Sequence, residues 1–287
     1  MAGGLKLGLF GLHRGSSVEP DTLVRRARLA EEIGFESLWI GDHLALPASG
    51  PSTGANPAEE PRLEAVVALA FMAALTSRVR LAVGIIVLPQ RQPVLLAKQL
   101  ASIDALSKGR LMVGIGVGYV ETELRALGAS LADRGIRTDE YLAAMRELWA
   151  APAASFAGRF VAFDDVLQRP RPIQQPHPPI VIGGQSPAAY RRTLQQANGW
   201  HGFGLDLDQT ATALAELRET AGRYERPAGL GELEITITPP RGAVAIETAC
   251  RYAELGVHRL AVQPDTMEGS AMDVLIRQVG DTLVGRV

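Results

Sequence analysis

One cysteine in 287 residues, Cys250, is the chain's plainest shortage. It excludes an internal disulfide and any cysteine cluster for zinc or iron–sulfur chemistry. Charge of one sign is missing as well: 29 Lys and Arg against 31 Asp and Glu leave a formal net charge of −2, so there is no basic footprint for nucleic acid. No apolar run approaches the roughly 20 residues of a membrane span, and MAGGLKLGLFGLH at the start lacks the long apolar core of a signal peptide. These absences predict a protein that stays in the reducing cytoplasm, with neither nucleic acid nor membrane among its partners. What the chain does have is apolar material, 47% of residues against 21% charged, enough for an ample core.

That material is laid out in alternating periods. Strand-like runs near 5–10, 37–40, 81–87, 111–115, 180–182, 199–204, 233–238 and 259–262 are each followed by a helical pattern, near 21–33, 63–75, 94–106, 138–149, 186–197, 208–224, 243–255 and 271–284. Eight strand–helix units predict an α/β fold, a single (β/α)8 TIM barrel with insertions, occupying residues 1–287 as one domain with no repeat or linker dividing it. Cap chemistry agrees: Asp21 and Gly34 bracket the first helix, Thr138 with Asp139 and Glu140 opens the fourth, Ser186-Pro187 opens the fifth, and Gly256 follows the seventh. Two stretches interrupt the pattern. LPASGPSTGANPAEEPR, 46–62, follows the second strand and reads as a mobile loop and candidate lid. Residues 150–179 hold GRFVAFDDV, a candidate hairpin, and then a proline-rich run, and are expected to be structural.

In such a barrel the chemistry belongs to residues just past each strand. Here these are His13, Asp42-His43, Leu88-Pro89-Gln90, Gly114 to Tyr119, Gly183-Gly184-Gln185-Ser186, His201 and Gln263. A catalytic zinc needs three or four ligands, and no His-x-His ends the first strand and no surplus of carboxylates surrounds the histidines, so no metal is expected. GIGVG lacks the third glycine of a dinucleotide fingerprint, since Tyr119 stands there. IGGQSPAAYRR brings bare amides and a helix start to one place, which suits an anion and equally suits a plain turn into a helix. In LAVGIIVLPQRQP, Gly84 sits inside an otherwise apolar strand, where glycine has nothing to pack.

Taken together, GFESLWIGDHLALP at 34–47, LAVGIIVLPQRQPVLLAKQLASIDALSKGRLMVGIGVGYVETELRALG at 81–128, RGIRTDEYLAAMRELW at 134–149 and PRPIQQPHPPIVIGGQSPAAYRRTLQQANGW at 170–200 resemble the bacterial luciferase-like flavin and deazaflavin oxidoreductases, and most nearly the coenzyme F420-dependent subgroup. The resemblance implies a luciferase-like TIM barrel and a cis peptide at Gly84-Ile85 backing the cofactor ring, with relief of crowding inside the barrel as the other reason for Gly84. It implies His43 and Asp42 as catalytic residues at the ring's reactive edge, against a capping or core role for the histidine. Gly116 and Gly118 would let the chain approach the cofactor, and Gly183, Gly184, Gln185 and Ser186 would take its phosphate.

FMN-using luciferases carry an arginine for that phosphate where this chain has Val117, which favours F420 over FMN. Arg110 precedes the fourth strand, at the other end of the barrel, and is expected to be structural. The resemblance therefore implies hydride transfer between F420 and a small organic substrate. The alternatives are an FMN-dependent two-component monooxygenase supplied by a separate reductase, and a non-catalytic flavin-binding protein on the same barrel. A homodimer is the expected assembly.

Overall fold

The structure, a computed structural model, describes residues 4–48 and 58–287. Eight parallel strand positions close into a barrel: β1 (Lys6–Phe10), β2 (Ser37–Ile40), β3 (Arg80–Val83) continued by β4 (Ile86–Val87), β5 (Leu111–Gly116), and, after a two-stranded hairpin of β6 (Ala154–Ala157) and β7 (Ala162–Val166), β8 (Ile180–Gly183), β9 (Gly199–Phe203), β10 (Glu234–Thr238) and β11 (Arg259–Val262). β1 pairs with β2 on one side and β11 on the other, and β3 pairs with β5, so no edge is left open. Around the ring lie α1 (Pro20–Ile33), α2 (Ala65–Leu75), α3 (Pro93–Leu106), α4 (Glu121–Ala126), α5 (Arg134–Ala150), α6 (Pro187–Gln196), α7 (Leu207–Ala221), α8 (Ile246–Glu254) and α9 (Ala271–Thr282). The expected (β/α)8 barrel is therefore present, with the short α4 and the hairpin as its insertions. Of the candidate lid at 46–62, residues 49–57 lie outside the described residues.

Strands that read as continuous apolar runs are covered on both faces, as parallel barrel strands must be. SLWI of β2 and LMVGIG of β5 are buried at every position. Phe10, Trp39, Ala82, Met112 and Ala261, one from each of five strands, form a cluster separate from the large core between sheet and helices. Arg259 is buried between the carboxylates of Glu36, at 2.7 Å, and Glu234, at 2.9 Å, so a charge in the barrel wall is balanced by ion pairs. Arg110 fills its hydrogen-bonding capacity on the carbonyls of Ala73, Thr76, Ser107 and Val79 and the Thr76 hydroxyl, the structural role expected of it.

Two helix starts differ from the sequence reading. The first helix begins at Pro20 with Glu19 as the flanking residue, and Asp21 falls in its first turn. The fourth barrel helix, α5, begins at Arg134 rather than Thr138: RGIR is compatible with helix, and the Thr138 hydroxyl, fully buried, donates back to the Arg134 carbonyl at 2.7 Å instead of capping. Asp139 instead pairs with Arg192 at 2.6 Å, and Glu140 accepts the amides of Arg159, Phe160 and Val161, tying down the tip of the hairpin. Ser186 does cap α6, its hydroxyl accepting from the Ala189 amide, and Gly34 ends α1 in the left-handed conformation, φ 107°. Among the described residues no helix is long and apolar enough to cross a membrane.

Candidate active site

A cavity of about 380 Å³ opens at the C-terminal ends of the strands. Its floor is the interruption between β3 and β4, where the Gly84–Ile85 peptide is cis, as the family resemblance implies. Gly84 still donates to the Ile40 carbonyl at 2.6 Å, so the sheet is not broken there. A Cβ on Gly84 would lie 2.6 Å from His201 Cε1 and 3.1 Å from Trp39 Cε3. The space a side chain would fill is thus taken by two buried rings, which is the crowding explanation for this glycine.

Ile85 accounts for several of the other glycines. A Cβ on Gly116 would come within 2.3 Å of Ile85 Cδ1, one on Gly183 within 2.8 Å of its Cγ2, and one on Gly114 within 3.2 Å of the same Cγ2 and 1.9 Å of the Val83 carbonyl oxygen. Ile85 therefore lies across a trough of bare backbone from β5 and β8. Gly118, with φ +77°, is closed to a side chain by Val87 Cγ1 at 2.5 Å. Gly184, with φ +112°, is in a conformation that favours glycine before any ligand is considered. Its carbonyl accepts from the Trp200 indole at 2.9 Å.

Of the residues picked from sequence, Asp42, His43, Gly84, Ile85, Gly116, Gly118, Gly183 and Gly184 line the cavity together, while Gln185 and Ser186 stand just outside its lining. His43 and Asp42 are neighbours in sequence and differ in environment. His43 turns Nδ1 to Glu123 Oε2 at 2.9 Å and meets Tyr119 edge-on, ring centroids 6.0 Å apart. Glu123 is 1% exposed, and its other oxygen takes the amides of Leu44 and Ala45. Burial pushes that carboxyl up, but the His43 hydrogen bond and the two amides outweigh it, and its pKa falls below the ordinary value. Asp42 has both oxygens engaged, Oδ2 by the Val87 amide at 3.0 Å and Oδ1 by Arg91, which also reaches Glu64 at 2.6 Å. Burial keeps its pKa raised despite Arg91. Asp42 thus ties the end of β2 to the chain just past the interruption.

Two further histidines near the cavity, His201 and His13, are held neutral. Burial, with Arg259 nearby, drives His201 down to about 3, and its Nε2 meets the Thr238 hydroxyl at 2.9 Å behind the floor. His13 lines the cavity, accepts the Gly41 amide on Nε2 at 3.2 Å, and is pushed well below its usual range by burial and by Arg14 and Arg62. Gln263 is buried behind this wall, between Arg14 and the Pro239 carbonyl. Gln90 is buried away from the cavity. Among the described residues no group of three or more His, Cys, Asp or Glu gathers as a metal site would require.

Glu123, Arg134, Arg14 and Arg62, charged groups in or against the cavity, escaped the sequence reading. Glu123 sits inside YVETEL, five residues past Gly118, and Arg134 opens the RGIRTDE segment. Both stood within segments that carry the family resemblance, but neither is adjacent to a strand end.

The profile of a family described as luciferase-like monooxygenase matches residues 5–254. An uncharacterised protein of Mycobacterium bovis is 33% identical over 259 residues, covering 86% of this chain and 89% of that one. An FMNH2-dependent dimethylsulfone monooxygenase of Pseudomonas putida is 38% identical over 112 residues, 38% of this chain and 31% of that one. Among solved structures, an F420-dependent secondary alcohol dehydrogenase in complex with an F420–acetone adduct superposes with TM-score 0.79 at 15% identity, covering 98% of this chain and 99% of the other, a likeness of fold.

Proposed function

Because the chain belongs to the luciferase-like monooxygenase family, we propose that the cavity holds a flavin-type ring and that the protein is an oxidoreductase acting on a small organic substrate, with F420 as the leading cofactor and FMN as the alternative. The residues present fit such a group. A floor of bare backbone at Gly84 and Gly184, apolar flanks from Ile85, Val87 and Phe203, and a polar edge at His43 and Tyr119 suit a flat heterocycle, and the volume falls within the roughly 300–1,000 Å³ of small-molecule pockets. When bound, F420 supplies the hydride acceptor or donor.

The observation that carries the reading is the His43–Glu123 pair. With Nδ1 committed to Glu123, Nε2 is the nitrogen left for a substrate hydroxyl or carbonyl. In an alcohol oxidation Nε2 takes the hydroxyl proton as the hydride leaves carbon, and in the reverse direction it returns that proton to the forming hydroxyl. The Glu123 carboxylate stabilises the imidazolium that forms and fixes the ring's orientation. Asp42 positions the cavity floor through Val87 and Arg91 and has no free oxygen for proton transfer.

The second reading, an FMN-dependent monooxygenase fed by a separate reductase, draws support from the dimethylsulfone monooxygenase relative. Titrating the apoprotein with F420 and with FMN, each in both oxidation states, decides between them by which one binds at micromolar concentration. With the cofactor bound, His43→Ala and Glu123→Gln should keep binding and lose at least about tenfold in kcat. Unchanged turnover in both variants would remove the pair from the chemistry, and binding without turnover on any substrate would favour the non-catalytic protein. A homodimer belongs to the same proposal: Val67 and Phe71 on α2 and Leu95 and Leu106 on α3 stand exposed, and light scattering tests it.

A further inference from the structure

Where the resemblance implies a phosphate-binding arginine in FMN users this chain has Val117, yet the cavity is not short of cations. Arg14, Arg62 and Arg134 all line it. Two of them share a carboxylate: Glu60 lies 3.6 Å from Arg14 and 2.7 Å from Arg62. Arg134 differs. Among the described residues no carboxylate forms an ion pair with it, and its one side-chain hydrogen bond runs from Nη1 to the Gly118 carbonyl at 2.6 Å. A guanidinium has five N–H donors in a planar fork, so this bond fixes the group while leaving most of its donors uncommitted.

The bond also sets where Arg134 stands. Gly118 closes the loop that begins at Gly116 and carries Val117, so the guanidinium sits against the backbone of the segment whose own side chain is apolar. The start of α5 is in turn fastened to α6, through Arg192 to the Gly135 carbonyl at 3.2 Å and Arg192 to Asp139 at 2.6 Å. α6 is the helix that follows Gly183 and Gly184, which line the same cavity. A cation without a partner carboxylate and the glycine turn leading into a capped helix therefore border one space, a combination that favours a bound anion.

We propose that Arg134 is the phosphate-binding cation of the cofactor site, supplied from the first turn of α5 in place of a side chain at position 117. This rests on the reading that the cavity binds a flavin-type cofactor. Its consequence is that Val117 no longer discriminates between the two candidates: the ester phosphate of FMN and that of F420 can meet the same guanidinium, and the choice between them falls to the groups around the ring and the tail.

The test compares each phosphorylated cofactor with its own core. FMN against riboflavin, and F420 against the deazaflavin chromophore lacking the phosphate, are titrated by fluorescence into wild type and Arg134→Gln, with folding checked by circular dichroism. Glutamine removes the charge, and because its amide ends short of the Nη1 that reaches the Gly118 carbonyl, the core compounds lacking phosphate control for loss of the loop anchor. Wild type should bind the phosphorylated member of the preferred pair at least tenfold more tightly than the core, in a salt-sensitive way, and inorganic phosphate should compete. The variant should lose at least tenfold for the phosphorylated member and less than twofold for the core. Equal loss for both members, no loss, or no wild-type preference for the phosphorylated member would overturn the assignment to Arg134. Absence of wild-type binding to any of the four would overturn the cofactor reading itself, a result distinct from the first three.

Discussion

Gly84→Ala separates two reasons for a bare backbone at the cavity floor. The added Cβ would sit 2.6 Å from His201 Cε1, 2.9 Å from His201 Nδ1 and 3.1 Å from Trp39 Cε3. Neither neighbour offers a flexible end that could swing aside. Trp39 has no exposed surface and His201 has 2%; their ring centroids are 5.1 Å apart, and His201 is held further by Thr238. Overpacking of this kind costs about 1–3 kcal/mol, and with two rigid rings as the obstruction the upper end applies. Gly116→Ala is the control, because its contacts, 2.3 Å to Cδ1 and 2.8 Å to Cγ1, are both with the Ile85 side chain, an aliphatic chain that can rotate, and about 1 kcal/mol is expected. Urea unfolding of the ligand-free protein reads both variants. A cycle with His201→Ala then isolates the pair, since removing the ring should make Gly84→Ala cheaper by about 1–3 kcal/mol. An alanine variant as stable as wild type, with cofactor affinity reduced, would refute the packing argument and show that the glycine is kept bare for the ligand.

Two further outcomes follow from the same geometry. His201 is held at about 3 against an ordinary 6.5, so the folded protein declines a proton that the unfolded chain accepts. This contribution to stability is full above about pH 6.5 and is lost as pH falls toward 3, with about 2 kcal/mol going between pH 7 and pH 5. His201→Phe should therefore lose about 2 kcal/mol less than wild type over that interval in urea unfolding, and equal losses would mean that His201 is protonated in the native state. Asp42→Asn should cost about 2–4 kcal/mol of stability, because Arg91 loses one of its two carboxylates in a largely buried setting, while kcat per folded molecule stays within a few-fold. Full stability with lost kcat would return Asp42 to the chemistry.

The barrel was legible because its evidence is local and repeated. The LMVGIG and SLWI runs are strands for the same reason that they are buried, and each is followed by a helical period of the right length to cross back. What failed locally was the start of α5. Thr138 followed by Asp139 and Glu140 has the composition of a helix opening, but all three side chains are engaged elsewhere: with the Arg134 carbonyl, with Arg192, and with the hairpin tip. Capping propensity describes what a side chain does when nothing else competes for it, and here a carbonyl of the same helix, a neighbouring helix and the hairpin insertion do.

The cavity was legible in place and only partly in cause. The glycines at 84, 116, 118 and 183 do mark the cavity, because a barrel that brings its backbone this close must omit side chains somewhere. Their immediate reasons, however, are His201, Val87 and above all Ile85, whose side chain lies over Gly116 and Gly183. The groups with chemistry to offer were harder to see, since each is defined by a contact distant in sequence. His43 and Glu123 are 80 positions apart, and Arg134 is 16 from the carbonyl that fixes it. A histidine at a strand end has several destinies, and a buried carboxylate on a separate helix, itself pinned by the amides of Leu44 and Ala45, is what selects among them. The same residue that orients the imidazole thus also orders the chain just after it. The proton transfer proposed for His43 and the conformation of the loop leaving β2 are therefore coupled through Glu123, and a change at that one carboxylate should disturb both together.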